Sequence, residues 1–450
     1  VPALLENQEI AADWAYDRPA AILAMDMGLG KTATAITLFK RKGLRQILVI
    51  VPAGLRVNWL REFDRFWPGH PDIDLILSGA HRFTKAPIVI VNYDLLAVPA
   101  IFHTLRLRTW EMVACDESQM ANNKDTLRGN AVLGPEGLTR RAMRVLALSG
   151  TPAPNHVGEL HGWFQVLCPE LLNVRAGKEG WPDVSHYDHF LKRYARYRTT
   201  KYGIQVTGTI NAAEFKRRFA SIIFRQRKSD CEGLIPPLRV GHIVLDTDKP
   251  RMLQALEQHP DHAKLMAMLS TLNADHPDAY SRLKVMLEDV ELATLRRLTA
   301  VAKIAPVAEL VHDELFGGIE KIVLFGHHRE LLEGLNDRLG EFNPAVIHGG
   351  IPKDKRQTQV DKFQNDPTCR VFVGQIDAAG MGITLTAASQ LLMVEASWVP
   401  SKNQQAIDRI SRIGQTENCL ARFVGLAGSI DEIVMRVQSR KAEALNALLL

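Results

Sequence analysis

The stretch Met25-Asp26-Met27-Gly28-Leu29-Gly30-Lys31-Thr32 brings two glycines, a lysine and a hydroxyl into eight residues. That set of groups suits the binding of phosphate. Glycines let successive backbone N–H groups turn toward one cluster of anionic oxygens. A helix starting directly afterwards adds partial positive charge at its N-terminus. Lys31 would reach the β- and γ-phosphates of a nucleotide such as ATP, and the Thr32 hydroxyl would serve Mg²⁺. The backbone of Met27, Gly28, Leu29 and Gly30 completes the cradle. The usual pattern has a further glycine five residues before Gly30; this chain has Met25 there.

A second chemical block is Cys115-Asp116-Glu117-Ser118-Gln119, which follows Trp110–Ala114, a stretch that reads as a short buried strand. An acidic residue at a strand end suits Mg²⁺, which takes hard oxygen ligands and keeps several waters. Asp116 would hold the ion, and Glu117 beside it can polarise a water for attack on the γ-phosphate. A third block, Gln404 to Gln415, lies nearly three hundred residues further on. On a helix, Gln405, Arg409 and Arg412 fall at i, i+4 and i+7 and share one face. Two guanidinium forks there would neutralise charge developing on a γ-phosphoryl group. The plainer reading of the block is a basic helix face with Ile407, Ile410 and Ile413 turned inward.

These residues need strands and helices to position them. In the first half, short apolar runs read as strands at Ala21–Ala24, Gln46–Val51, Asp74–Leu77, Ile88–Asn92, Met112–Cys115 and Val145–Leu148. The second half repeats the pattern at Lys321–Phe325, Pro344–Ile347, Arg370–Val373 and Gln390–Val394, with helices at Arg329–Leu339 and Lys355–Gln364. Apolar strands alternating with helices imply parallel sheets covered on both faces. The chemical blocks then fall at the carboxyl ends of strands, where open α/β sheets bind ligands.

Taken in order, these blocks resemble helicase superfamily two, and within it the Swi/Snf-type DNA-dependent ATPases. The likeness runs along nearly all of the chain. Gln8 stands where that family has an adenine-recognising glutamine, and Met25–Thr32 resembles its first motif, with Met25-Asp26 in place of the usual Asp-Glu. Ile50-Val51-Pro52-Ala53 with Asn58-Trp59 and Glu62-Phe63, and then Val89–Asp94, resemble its next two segments. Asp116-Glu117-Ser118-Gln119 resembles its Asp-Glu-x-His box, with Gln119 replacing the histidine. Leu148–Pro152 with Asn155 and Glu159-Leu160 resembles motif III. In the second half, Phe325–His328, His348-Gly349-Gly350, Gly382–Thr386 and the ending Arg409–Gln415 match the remaining motifs. Arg193-Tyr194, Gly203, Gly208, Asn211, Glu214-Phe215 and Phe224–Lys228 resemble the distant branch that contains annealing helicases and fork-remodelling translocases.

The resemblance implies two RecA-like parallel-sheet lobes with helical insertions between them. It divides the chain into lobe one at 1–240, with a basic and helical insertion at about 173–230, a helical linker or protrusion at 241–300, and lobe two at 301–450. It implies ATP and Mg²⁺ as cofactors, with Lys31, Thr32, Asp116 and Glu117 on one lobe and Arg409 and Arg412 on the other. It assigns Asn92, Tyr93, His348, Gly349 and Thr384 to DNA, and Ser149 and Thr151 to coupling between the ATP and DNA sites. The activity implied is ATP-driven movement along duplex or forked DNA, in repair, recombination or fork remodelling. A strand-separating DNA or RNA helicase and a different P-loop ATPase stay open as alternatives.

Composition is compatible with this reading. The 450 residues are 46% hydrophobic and 23% charged, which permits two or three domains with sizeable cores. A net charge of +5 allows nucleic-acid binding without requiring it. The five cysteines are widely spaced and form no Cys-x-x-Cys pair, which points away from a disulfide framework or a zinc site. Neither a membrane-spanning apolar run nor a secretion signal is visible, so a cytoplasmic chain of bacterial or phage type is expected, nuclear if eukaryotic. Lys192-Arg193-Tyr194-Ala195-Arg196-Tyr197-Arg198 admits two readings, a footprint for a phosphate backbone or a solvated helix with its tyrosines packed inward. His327-His328 lacks a helix-spaced partner and a carboxylate in sequence, which favours packing or nucleic-acid proximity over a metal pair.

Overall fold

A computed structural model describes residues 2–154, 156–173, 181–200, 203–231, 233–246, 290–379, 383–397, 399–427, 429 and 431. Two compact units divide at Glu232/Gly233. The first contains strands β1 (Ala20–Met25), β2 (Ile47–Val51), β3 (Ile73–Leu75), β4 (Ile88–Asn92), β5 (Met112–Asp116) and β6 (Val145–Leu148). It also holds a hairpin of β7 (Ala195–Thr200) and β8 (Gly203–Thr209), and strand β9 (Ile223–Gln226). The second contains β10 (Leu238–Leu245), β11 (Ile322–Gly326), β12 (Ala345–Ile347), β13 (Val371–Gln375), β14 (Gln390–Met393) and β15 (Cys419–Leu426).

The first sheet runs β3-β4-β2-β5-β6-β1-β9, parallel throughout. Every residue of β2, β4 and β5 is buried, as expected of a parallel sheet covered on both faces. Helices α1 (Glu6–Tyr16), α2 (Lys31–Arg41) and α3 (Arg56–Phe66) follow or precede the strands that carry the chemical blocks. The placement of β6 is what builds the site. It pairs Leu148 with Leu23 of β1 on one side and with Asp116 of β5 on the other. The segment after β6 therefore leaves the sheet between the phosphate loop and the acidic box.

The second sheet runs β10-β15-β14-β11-β13-β12, again parallel. Separate apolar clusters cover it, one including Phe325, Phe363, Phe372 and Ile410, the other Leu324, Leu331, Val371 and Leu392.

The apolar runs read as strands are strands, with ends shifted by a residue or two. Four strand regions were not legible as such. β15 carries Arg422, whose charge is hidden by Glu314 (Nη2 to Oε2, 2.7 Å). β9 contains Arg225-Gln226 and reads as part of a basic stretch. β10 is an edge strand with alternating exposure; its Leu238–Leu245 spans the expected border between lobe one and the helical linker. The basic insertion contains the β7–β8 hairpin as well as helices Tyr187–Tyr194 and Ala212–Phe219. Most of the expected linker, residues 247–289, lies outside the described residues, as do Asn155 and Gly382.

Within that insertion, Tyr194 is fully buried against Phe190, Phe215 and Phe219. Its hydroxyl donates to Glu214 Oε1 at 2.9 Å and accepts from Arg218 at 3.1 Å, and burial pushes its pKa up to about 12. Inward packing accounts for this tyrosine, while Arg196 and Arg198 are exposed.

Candidate active site

The phosphate loop begins where β1 ends. Gly28 and Gly30 both take left-handed backbone, φ +87° and +85°, which L side chains rarely adopt. Gly30 is further required by α1, because an added Cβ would lie 2.1 Å from Gln8 Nε2. Gln8 caps its own helix by accepting from the Leu5 N–H at 3.1 Å, and its Nε2 donates to Leu29 O at 3.2 Å. The glutamine thus lies against the loop, with both ends of its amide engaged. Lys31 opens α2 and is buried. Its Nζ donates to Met25 O at 2.9 Å and Asp26 O at 3.3 Å, so the ammonium is folded over the loop. Thr32 follows in the first turn and is half-buried.

The acidic pair is also buried, Asp116 at 5% and Glu117 at 7% exposure. Asp116 accepts from Trp59 Nε1 through Oδ2 at 2.8 Å and from the Glu117 N–H through Oδ1 at 2.9 Å. Burial, reinforced by the adjacent Glu117 charge, raises its pKa to about 6, against the pull of Trp59 and Lys31. Glu117 itself has φ +48°, a left-handed conformation for a residue with a side chain. Such strain persists at functional sites where the surroundings over-determine it.

From Glu117 a hydrogen-bonded path leads out. Gln119 Nε2 donates to Glu117 Oε2 at 2.6 Å, the Ser149 hydroxyl donates to Gln119 Oε1 at 2.6 Å, and the Thr151 N–H donates to Ser149 Oγ at 3.0 Å. The neighbouring Gly150 touches the phosphate loop so closely that an added Cβ would lie 2.9 Å from Met27 Cγ. The segment after β6 therefore joins both halves of the nucleotide site, as the strand order requires.

Asn92 and Tyr93 are both buried, at 4% and 1% exposure, with their side chains turned inward. Asn92 Oδ1 accepts from Arg56 Nη1 at 3.1 Å, and that guanidinium also holds Ile76 O and Leu77 O. The Tyr93 hydroxyl donates to Asp116 O at 2.8 Å. Asn92 ends the fully buried strand β4 and Tyr93 follows it, where a ring packs better inward than out. They brace the site. Trp59 and Tyr93, which position Asp116, stand in segments that carry the family resemblance, but nothing in their spacing placed them beside Asp116.

In the second unit the arginine block takes another shape from the one its spacing implies. The helix Pro400–Ile407 stops before either arginine. Beyond it the backbone tightens into i−3 hydrogen bonds, Arg409 N to Ala406 O and Ile410 N to Ile407 O, both 3.1 Å. In a tighter turn, residues three apart eclipse, so Arg409 and Arg412 share a side while Ile407 and Ile410 are buried. Both arginines donate through Nη1 to the Ile383 carbonyl, at 3.4 and 3.3 Å. Gln405 is left behind on the helix, half-buried. The turn is stapled by Gln415, which closes the block read from sequence but had no role there. Its Nε2 donates to the carbonyls of Ala388 (2.9 Å), Ile410 (3.1 Å) and Thr386 (3.3 Å), and its Oε1 accepts from the N–H groups of Thr416 and Glu417, both 2.9 Å.

Thr384, beside the shared acceptor Ile383, is half-buried, as is His348 at the end of β12. Gly349 and Gly350 are exposed; Gly349 N–H donates to Gln375 Oε1 at 2.8 Å and Gly350 N–H to His348 Nδ1 at 3.1 Å. His328 has a carboxylate partner after all, brought by the fold from just beyond β14. Its Nδ1 lies 2.7 Å from Glu395 Oε1, and the backbone N–H groups of His327 and His328 both donate to Oε2 at 2.8 Å. Burial opposes ionisation of Glu395, but His328 and the Lys303 ammonium outweigh it and hold the carboxyl at about 2. Among the described residues, no group of three or more His, Cys, Asp or Glu is arranged to hold a metal ion, and no helix is long and apolar enough to cross a membrane.

A glycine loop closing on a helix at the end of β1, with a paired acidic box two strands away, defines a P-loop nucleotide-binding unit, here followed by a second parallel-sheet unit. The SNF2-related domain matches residues 7–271 and the helicase conserved C-terminal domain matches residues 302–414. The chain belongs to the SNF2-related family. It is similar to the DNA annealing helicase and endonuclease ZRANB3 of Mus musculus, with 25% identity covering 95% of this chain and 39% of that protein. It is also similar to the SWI/SNF-related matrix-associated actin-dependent regulator of chromatin subfamily A-like protein 1 of Xenopus tropicalis, with 29% identity covering 98% of this chain and 44% of that one. The chain thus spans about two-fifths of the curated relatives it matches. Among solved structures it is similar to the Sulfolobus solfataricus SWI2/SNF2 ATPase core in complex with dsDNA, at 22% identity and a TM-score of 0.45 over 100% of this chain and 93% of that one.

Proposed function

We propose that the chain hydrolyses ATP to move along duplex DNA without reading its sequence. The observation that carries this reading is the bonded path from Glu117 through Gln119 and Ser149 to Thr151, in a member of the SNF2-related family. A plain nucleotide-binding domain has no need to wire its acidic box to a neighbouring strand end.

In this reading the N–H groups of Met27, Gly28, Leu29 and Gly30 cradle the phosphates. Lys31 leaves the Met25 and Asp26 carbonyls to meet them. Gln8 and Gln405 contact the nucleotide, Glu117 orients the attacking water, and Arg409 and Arg412 neutralise charge on the γ-phosphoryl group. Thr32 and Asp116 would hold Mg²⁺. The fit is chemical, because both offer hard oxygens, and the burial and neighbouring Glu117 charge that raise the Asp116 pKa are penalties a divalent cation relieves. Bound there, the ion would offset negative charge on the phosphates.

The residues that this reading assigns to the nucleotide belong to both units. Binding that favours one arrangement of the units over another shifts their equilibrium, and alternating grip on DNA would turn that shift into steps. His348, Gly349 and Thr384 are the candidate DNA contacts, with Ser149 and Thr151 as couplers. Phosphate contacts carry no base information, so affinity is expected to fall steeply with salt. The likeness to an annealing helicase supports a place in DNA repair, recombination or fork remodelling, on duplex or forked DNA.

The test is ATP hydrolysis without nucleic acid and with single-stranded, duplex and forked DNA and RNA, with Lys31→Ala as blank. Strong stimulation by duplex DNA that vanishes in Lys31→Ala supports the proposal. Stimulation by single strands or RNA alone points to a strand-separating helicase. Lys31-dependent hydrolysis with no stimulation at all points to a different P-loop ATPase.

A further inference from the structure

Arg225 stands in the edge strand β9, where an arginine would ordinarily face solvent. Its side chain is only 21% exposed. The register pairs Ala24 with Arg225 and Met25 with Gln226, so β9 ends beside the start of the phosphate loop. The guanidinium reaches three segments at once. Nη2 lies 2.8 Å from Asp26 Oδ1, and Nη1 donates to Ala24 O at 2.9 Å and to Gly150 O at 3.4 Å.

Asp26 is held by two further bonds from the end of β9 and the residues just after it. Its Oδ2 accepts from the Lys228 N–H at 3.0 Å, and its own N–H donates to Gln226 O at 2.9 Å. What Asp26 then does lies inside the cradle. Its carbonyl accepts from Lys31 Nζ at 3.3 Å and from the Leu29 N–H, also at 3.3 Å. A shift of Asp26 therefore shifts both the lysine and the turn that shapes the loop. An exposed ion pair between flexible chains contributes little. A partly buried fork with acceptors on the loop, on β1 and on the Gly150 segment is a different object.

Resting on the nucleotide-site reading above, we propose that Arg225 is a positioning residue for ATP. Acting through Asp26, it sets the phosphate loop in its binding shape and keeps it in register with the Gly150 segment. Beyond β9 the chain continues through Lys228 toward the division between the units at Glu232/Gly233, so the loop is fastened to the piece of chain that leads into the second unit.

The experiment measures binding of N-methylanthraniloyl-ADP, together with KM and kcat for ATP at saturating duplex DNA. It uses wild type, Arg225→Ala, Arg225→Lys, Asp26→Asn and the Arg225→Ala/Asp26→Asn double variant, each with a thermal midpoint. Arg225→Ala is expected to weaken nucleotide binding and raise KM about tenfold, the size of one charge-assisted hydrogen bond, with a smaller change in kcat. Arg225→Lys should keep part of the affinity, since it retains the ion pair and loses the fork. The double variant should be no worse than Arg225→Ala, because both single changes break one linkage. A lowered thermal midpoint with unchanged KM would overturn the proposal and leave a structural ion pair. Fully additive effects would overturn it too. Should Arg225→Ala fail to fold, Asp26→Asn carries the same KM prediction. Wild type without Lys31-dependent nucleotide binding would sink both this proposal and the ATPase reading; normal wild type with unaffected Arg225 and Asp26 variants would sink this one alone.

Discussion

The phosphate cradle of the first unit and the arginine turn of the second solve one problem in opposite ways. Each must hold charged groups beside a parallel sheet, the cradle where β1 ends and the turn just ahead of β15. The cradle is made of consecutive residues between a strand and a helix, and glycine geometry alone forces much of its shape. The arginine turn has no such local necessity. Its helix ends early, and one amide, Gln415, holds five backbone groups to keep Arg409 and Arg412 on a common side. A site built from local backbone rules announces itself in sequence. One built from a single tertiary staple does not.

The largest expected effect tests the chemistry of the first region. Glu117→Gln should lower ATP turnover by about 10²–10⁴-fold, the range for a positioned acid–base group, while nucleotide affinity and circular dichroism stay unchanged. Turnover within a few-fold of wild type would remove Glu117 from its role and with it the claim that the first region carries the hydrolytic chemistry.

Next come the supports of the second unit. Glu395 has its pKa lowered from 4.5 to about 2, so its contribution to stability is present above pH 4.5 and is lost as pH falls toward 2. The shift corresponds to stability on the order of 3 kcal/mol. Glu395→Gln should lose that amount at neutral pH and flatten the acid limb of a thermal-midpoint profile between those values. A profile parallel to wild type would show that the His328–Glu395 contact does not hold β11 and β14 together. Gln415→Ala should cost about 2 kcal/mol, since water can replace only some of the buried bonds. Turnover should fall with it while nucleotide binding does not change. If affinity falls and turnover holds, the arginine turn is a binding element rather than a charge-neutralising one.

The smallest effect concerns the link inside the first unit. Gln119→Ala opens the path between Glu117 and Ser149. Stimulation of hydrolysis by duplex DNA should drop about tenfold, within the usual range of coupling between sites, with unstimulated hydrolysis changed less. Equal loss in both rates would make Gln119 a support for Glu117 and not a coupler.

Much of the molecule was legible in the chain. Apolar runs located the central strands because parallel strands buried on both faces leave little freedom of composition. Gly28, Gly30, Lys31 and Thr32 marked the cradle because left-handed turns, close backbone approach and a helix start are local demands. Asp116 and Glu117 were visible for the same reason, as polar residues ending an apolar run. Tertiary structure decided the rest. It placed β6 between β1 and β5, so that Ser149 and Gly150 meet both halves of the site. It turned Asn92 and Tyr93 inward, brought Glu395 to His328, and set Arg225 against the phosphate loop from two hundred residues away. Helical spacing foresaw a shared side for Arg409 and Arg412, but packing of Ile407 and Ile410 and the Gln415 staple achieve it through a turn. Periodicity reports which face a residue takes within its own element. Which elements become neighbours depends on strand order and buried partners, and those come into being only when the chain has folded.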